Sequence, residues 1–210
     1  MSDAVVITKL SVIGTIKEGI GLGAKNMGPI LVNALLWMIT CWIPYLNVGT
    51  TIGLFTGVIA KSSKGEAISF TEIFNPDYRK FMGEFFLTSG LMAAGIAAAS
   101  LLMLIPGMVI CLAWSQALLL VIDKGKNPTE ALVLSNKCTY GNKWRMVWIF
   151  ALQGLAIGIV CGILGAISGA IHVAAVSFIF GLIMFGVILF AMFVSIGVQA
   201  SIYKQLTANV

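Results

Sequence analysis

The residues to examine first are those that could carry a proton, an ion or a new bond. Glu84 is the one acid placed inside an apolar run long enough to cross a membrane. Asn33, Gln116 and Gln153 are neutral polar residues near the middle of other such runs. Ionisable groups in lipid are costly and mark ion or proton paths by default, so these four define a candidate polar pathway with a single carboxylate. Glu84 stands four residues after Lys80, a spacing that permits an interfacial ion pair. His172, the lone histidine, has no partner in sequence, and Cys41, Cys111, Cys138 and Cys161 form no C-x-x-C pair. No H-E-x-x-H, G-x-S-x-G or P-loop occurs. The expectation is no catalytic residue, no metal and no cofactor, hence not an enzyme. Too few buried carboxylates are present for an ion-coupled pump.

The elements that hold these residues must be mostly lipid-facing. Of 210 residues, 59% are hydrophobic and 10% are charged, and the mean hydropathy is +1.01. Soluble domains carry about 25% charged residues. The net charge of +5 is small for a nucleic-acid binder, and none is expected as a partner. The N-terminus lacks the charged-then-apolar order of a cleaved signal peptide.

A spanning helix needs about 20 apolar residues. Six runs qualify, at about 26–43, 44–60, 81–105, 106–122, 144–168 and 173–202. They predict an all-α membrane protein, one domain over 1–210, with hairpins at about 26–60, 81–122 and 144–202. All 13 Lys and Arg fall on one side, twelve before, between or after hairpins and Arg145 at the entry to the third, and the turns inside hairpins have none. Basic loops stay inside, so both termini are expected to be cytoplasmic, in a bacterial inner membrane. Ile43-Pro44 recurs as Ile105-Pro106, and Lys80-Phe81 as Lys143-Trp144. Each hairpin follows a short amphipathic stretch: Leu10, Ile13, Ile16 and Ile20; then "SFTEIF"; then "NPTEALVLSNK", where Asn127 can cap and Pro128 suits the first helical position. The unit is a cytoplasmic amphipathic helix plus a membrane hairpin, present as three parallel repeats. Lys17, Lys124 and Lys126 are placed to meet anionic lipid headgroups.

The stretch "GLAIGIVCGILGAISG" puts Gly154, Gly158, Gly162, Gly165 and Gly169 along one helix face. Gly49, Gly53 and Gly57 repeat the device. Small residues let helices approach closely in lipid, where apolar contact alone gives no preference for protein. Two readings stay open: packing inside one bundle, or a subunit interface or pore lining.

The stretch from Trp114 to Leu152 runs from a helix through a charged turn into the next helix. It carries Asp123, Pro128, Glu130, Ala131, Leu132, Ser135, Gly141, Lys143 and Trp144 at characteristic spacing. It resembles an uncharacterised group of bacterial multi-spanning membrane proteins that includes the membrane domain attached to some glycerophosphodiester phosphodiesterases. The resemblance implies a multi-helix membrane fold and no activity, since the phosphodiesterase catalytic domain is absent. Two functions are expected to compete. One is an oligomeric passive channel or facilitator for a small solute or ion. The other is a membrane scaffold that grips anionic lipid or a partner membrane protein.

Overall fold

The computed structural model describes residues 9–170 and 174–208, so His172 lies outside the described residues. Among them there are ten α-helices and no strand: α1 (Val12–Lys25), α2 (Met27–Thr40), α3 (Pro44–Ile52), α4 (Val58–Lys64), α5 (Met82–Leu102), α6 (Leu104–Trp114), α7 (Ala117–Lys124), α8 (Pro128–Thr139), α9 (Lys143–Ala170) and α10 (Ala174–Leu206). A π-helical turn, Gly53–Gly57, joins α3 to α4 without a break.

Four stretches are long and apolar enough to cross a membrane: Pro76–Leu102, Leu104–Lys124, Lys143–Gly169 and Val176–Leu206. The pair α1 and α2, bent by 76° at Asn26, makes a fifth if counted as one span. The chain is therefore a helical protein with the apolar spans of a membrane protein. The expected second span, α3 through α4, forms a continuous helix but stands apart from the four. Asn47, Thr50, Thr51 and Thr56 dilute its apolarity. Most of its second half faces protein: Ile52, Leu54, Val58, Ile59 and Ala60 are buried, while Tyr45 and Phe55 are exposed. A helix surrounded by its own chain can carry hydroxyls that lipid would penalise, because neighbours satisfy them. Thr50 donates to Leu46 O at 3.0 Å, and Trp37 Nε1 donates to Thr51 at 2.9 Å.

The main apolar core joins this helix to Ile30 of α2, Ala117 to Ile122 of α7, and Phe193, Ile196, Ala200 and Tyr203 of α10. A second cluster gathers Leu10, Cys138, Met146, Ile149, Val198, Ile202 and Leu206. These elements form a base. By contrast, the buried apolar residues of α9 are confined to Met146 and Ile149, and those of α10 begin at Phe193. Beyond those points the α9–α10 hairpin is largely exposed, as is the α5–α6 turn, where Leu101 to Ile105 are all exposed.

The three amphipathic stretches take different forms. α1 is a helix, capped by Ser11, whose Oγ accepts from Gly14 N at 3.3 Å. Its buried stripe is Thr15, Gly19 and Gly23, packed on α10, while Ile13 and Ile20 of the expected apolar face are exposed. A Cβ on Gly19 would lie 2.5 Å from Val198 Cα, so glycine is what lets these two helices touch. The second stretch is not an α-helix. It holds one 3₁₀ turn, Glu72–Phe74, and a second, Pro76–Phe81, follows it. The third, α8, starts at Pro128 as expected, although Asn127 makes no side-chain cap bond. It is built into the base instead of lying on a surface: Ala131, Leu132, Ser135, Cys138 and Thr139 are buried.

Candidate functional site

The last turns of α4 send two lysines to two buried carboxylates. Lys61 Nζ stands 2.9 Å from Glu72 Oε1, and the Glu72 side chain is 3% exposed. Glu72 also accepts from Tyr78 OH at 2.7 Å, Asn75 Nδ2 at 3.2 Å and Ser69 N at 3.2 Å. Burial alone would raise this carboxyl, but the hydrogen bonds from Tyr78, Lys61, Asn75 and Ser69 outweigh it and hold it below its ordinary value. One turn further on, Lys64 Nζ lies 2.5 Å from Asp123 Oδ1, whose other oxygen accepts from Tyr203 OH at 2.8 Å. The bond to Asp123 raises Lys64 above its ordinary value, against the opposing effect of burial. A third carboxylate, Glu18 on α1, meets Lys204 at 2.7 Å, Ser201 at 2.8 Å and Gln205 at 2.8 Å. These clusters join α1, α4, α7 and α10 to the 69–78 segment. They are locks: each acid is already occupied by donors from its own chain.

The Glu72 lock explains the first glycine stripe. A Cβ on Gly53 would lie 2.7 Å from Ile73 Cα, one on Gly49 2.9 Å from Arg79 Nε, and one on Gly57 would overlap the Tyr78 ring. Gly49, Gly53 and Gly57 thus form the bed on which the 72–79 segment lies. The second stripe has a different setting. Around Gly154, Gly158, Gly162 and Gly169 an added Cβ would meet nothing within 4 Å, and at Gly165 only the tip of Met184 at 3.9 Å.

The expected polar pathway is not assembled in one place. Asn33 is fully buried and structural: its amide donates to Pro29 O at 2.8 Å and Ser69 O at 2.7 Å, and its oxygen accepts from Ile73 N at 3.0 Å. Gln116 is fully buried at the break between α6 and α7. Its Nε2 donates to Ser115 Oγ at 2.9 Å, its backbone N donates to Ser135 Oγ at 3.2 Å, and its Oε1 has no partner. Glu84 is half-buried in the first turn of α5, and Lys80 pairs with Asp77 at 2.6 Å in place of Glu84. Only Gln153 reaches an open cleft. It donates to Ser195 Oγ across α9 and α10, and Gln199 and Gly154 line the same cleft of about 540 Å³ with Phe55 and Ile59. Of the lysines expected to meet lipid headgroups, Lys17 is exposed on α1, and Lys124 and Lys126 are half-exposed at the α7–α8 turn.

Sequence reasoning placed Glu72 only within an amphipathic stretch and Asp123 only within the resemblance pattern, and gave neither a site role. A signal for the first was present: Asn75-Pro76 marks a turn, and Asn75 Oδ1 accepts from Asp77 N at 3.0 Å. Nothing local marks Asp123, whose tyrosine lies 80 positions away. Among the described residues no group of three or more His, Cys, Asp or Glu could hold a metal ion. No protein-family model matches the chain, and no curated protein or solved structure is significantly similar to it.

Proposed function

We propose that the protein is a non-enzymatic inner-membrane protein that assembles with copies of itself through α9 and α10 and acts as a passive facilitator for a small solute or ion. The observation that carries this reading is the open polar row. Gln153, Ser195 and Gln199 lie beside Gly154 in a cleft between apolar helices. Amides and hydroxyls in lipid need partners or water. A single chain supplies Gln153 with one described bond, to Ser195, and leaves the glycine stripe beside it bare. A second copy against that stripe would cover the glycines and turn the polar row toward a shared axis. Asn33 and Gln116 drop out of this pathway: the Asn33 side chain ties α2 to Ser69 and Ile73, and the Gln116 side chain is fully buried in the base.

In this reading the chain crosses the membrane six times as three parallel hairpins, with the basic loops and both termini inside. The buried α3–α4 helix counts as the second crossing, shielded from lipid by its neighbours. The resemblance to the bacterial membrane-protein group agrees with such a fold and adds no substrate. Orientation is tested with Glu130→Cys, an exposed position on α8. It should react with a membrane-impermeant maleimide only after the cells are opened. Cys138 is unsuited to that test, because it is 2% exposed and burial raises its thiol pKa.

The functional test is reconstitution. Purified protein in liposomes should dissipate small-solute or ion gradients without a proton or sodium gradient, and Gln153→Leu should slow that flux. Liposomes that hold every tested gradient defeat the facilitator reading. A scaffold reading then leads, favoured by one observation: Ile13 and Ile20 are exposed on the same helix as exposed Lys17, a pattern suited to lying on an anionic membrane surface.

A further inference from the structure

A second feature of the surface lies away from α10. An apolar groove of about 430 Å³ runs between α6 and the start of α9. Ile105, Met108, Val109 and Leu112, two turns of α6, form one wall, and Val147 of α9 faces them. Tyr140, Lys143 and Trp144 stand where α8 gives way to α9. The groove thus has apolar sides and a single cationic end.

We propose that this groove holds one acyl chain of an anionic phospholipid, with the phosphate against Lys143. Charge complementarity selects the occupant. The described hydrogen bond of Lys143 Nζ is to the neutral Asn136 Oδ1 at 3.2 Å, and the four described ion pairs use Lys61, Lys64, Lys80 and Lys204. No carboxylate lines the groove. The N-terminus of α9 lies at the same end, and its helix dipole adds positive potential there. Trp144 and Tyr140 are 77% and 65% exposed beside the lysine, the arrangement that amphipathic aromatics take at headgroup level. The α6 wall offers side chains and no free polar groups to a peptide backbone, while a hydrocarbon chain needs none. The proposal rests on the chain lying in a membrane and is independent of whether the protein conducts.

The test counts lipids on the intact protein by native mass spectrometry, in mild detergent with equal mole fractions of phosphatidylglycerol and phosphatidylcholine. The wild type should retain one phosphatidylglycerol in preference to phosphatidylcholine. Lys143→Gln, a change at a half-exposed side chain, should lower that retention about fivefold with the helical circular dichroism unchanged. Val109→Trp should fill the groove and lower retention of both lipids. Lys25→Gln, at an exposed position in the last turn of α1 and outside the groove lining, should retain lipid like the wild type. Glycerol phosphate added in excess should displace nothing. Equal retention by wild type and Lys143→Gln would overturn the proposal. So would loss of the lipid to glycerol phosphate, which would mark a site for free phosphate, or equal retention of the two lipids by the wild type.

Discussion

Runs of three glycines four residues apart occur twice in this chain, and the two sets have opposite fates. Along Gly49, Gly53 and Gly57 the small-residue face is filled by backbone and rings of the 72–79 segment. Along Gly154 to Gly169 the face is bare within one chain. The spacing is the same, so spacing alone does not say what the face contacts. The difference lies in what flanks each stripe. The first stripe is followed, after a short turn at Gly65, by a segment with polar anchors, Glu72, Asn75 and Tyr78, that can be tied down by Lys61 and Asn33. The second is followed by α10, a long apolar helix, and none of the described ion pairs lies along the stripe. In a membrane protein, hydrogen bonds choose the partner and small residues then permit the approach.

The largest effect is expected where a filled stripe is overpacked. Gly53→Leu drives a side chain into the Ile73 backbone, which cannot turn aside as a flexible side chain would. It should cost about 3 kcal/mol or abolish the folded protein. Thermal unfolding in detergent and the yield of monodisperse protein measure it.

Removing the anchor comes next. Glu72→Ala leaves Lys61 and Tyr78 without their shared acceptor and should cost about 3 kcal/mol. Tyr78→Phe removes one of four donors to Glu72 and should cost about 1 kcal/mol. Equal melting temperatures for Glu72→Ala and wild type would show that the segment is held by the glycine bed alone.

The same lock sets an acid limit. Because Glu72 titrates below its ordinary value when folded, its stabilisation is complete above that ordinary value and is lost as pH falls through the depressed one. Stability should therefore decline at acid pH, and the decline should be shallower in Glu72→Gln. Lys64 acts in the opposite direction. Its value is raised in the fold, so its contribution is complete below the ordinary lysine value and is lost as pH rises through the raised one. Unfolding midpoints across both pH ranges separate the two locks, since Glu72→Gln should leave the alkaline limb unchanged.

Much of this contrast was readable before any coordinates. Long uninterrupted apolar runs place α5, α9 and α10 within a few residues, because lipid-facing helices must be apolar on most faces. The run at 44–60 was equally visible, but its role was not. It was expected as the second span, whereas Thr50 and Thr56 belong to a helix that packs largely against protein. Asn33 and Gln116 stood out as polar residues in apolar runs, yet a buried amide that pins a neighbouring loop, as Asn33 does at Ile73, has the same local sequence as one that lines a path. The packing of Gly19 and Gly23 on α10 depends on contacts between opposite ends of the chain. No window of sequence contains both partners.

The bare stripe gives the most direct test of the proposed assembly, by comparing Gly158→Leu with Ile163→Ala and wild type for both stability and particle mass in detergent. A Cβ on Gly158 meets nothing within its own chain. Gly158→Leu should therefore keep its melting temperature to within about 0.5 kcal/mol of stability, as surface changes do, while its particle mass falls toward that of a single chain. Ile163→Ala, exposed on α9 and off the glycine line, should keep both. A Gly158→Leu protein with the wild-type particle mass, or one that unfolds as Gly53→Leu is expected to, would contradict the claim that α9 carries its glycines for a second copy.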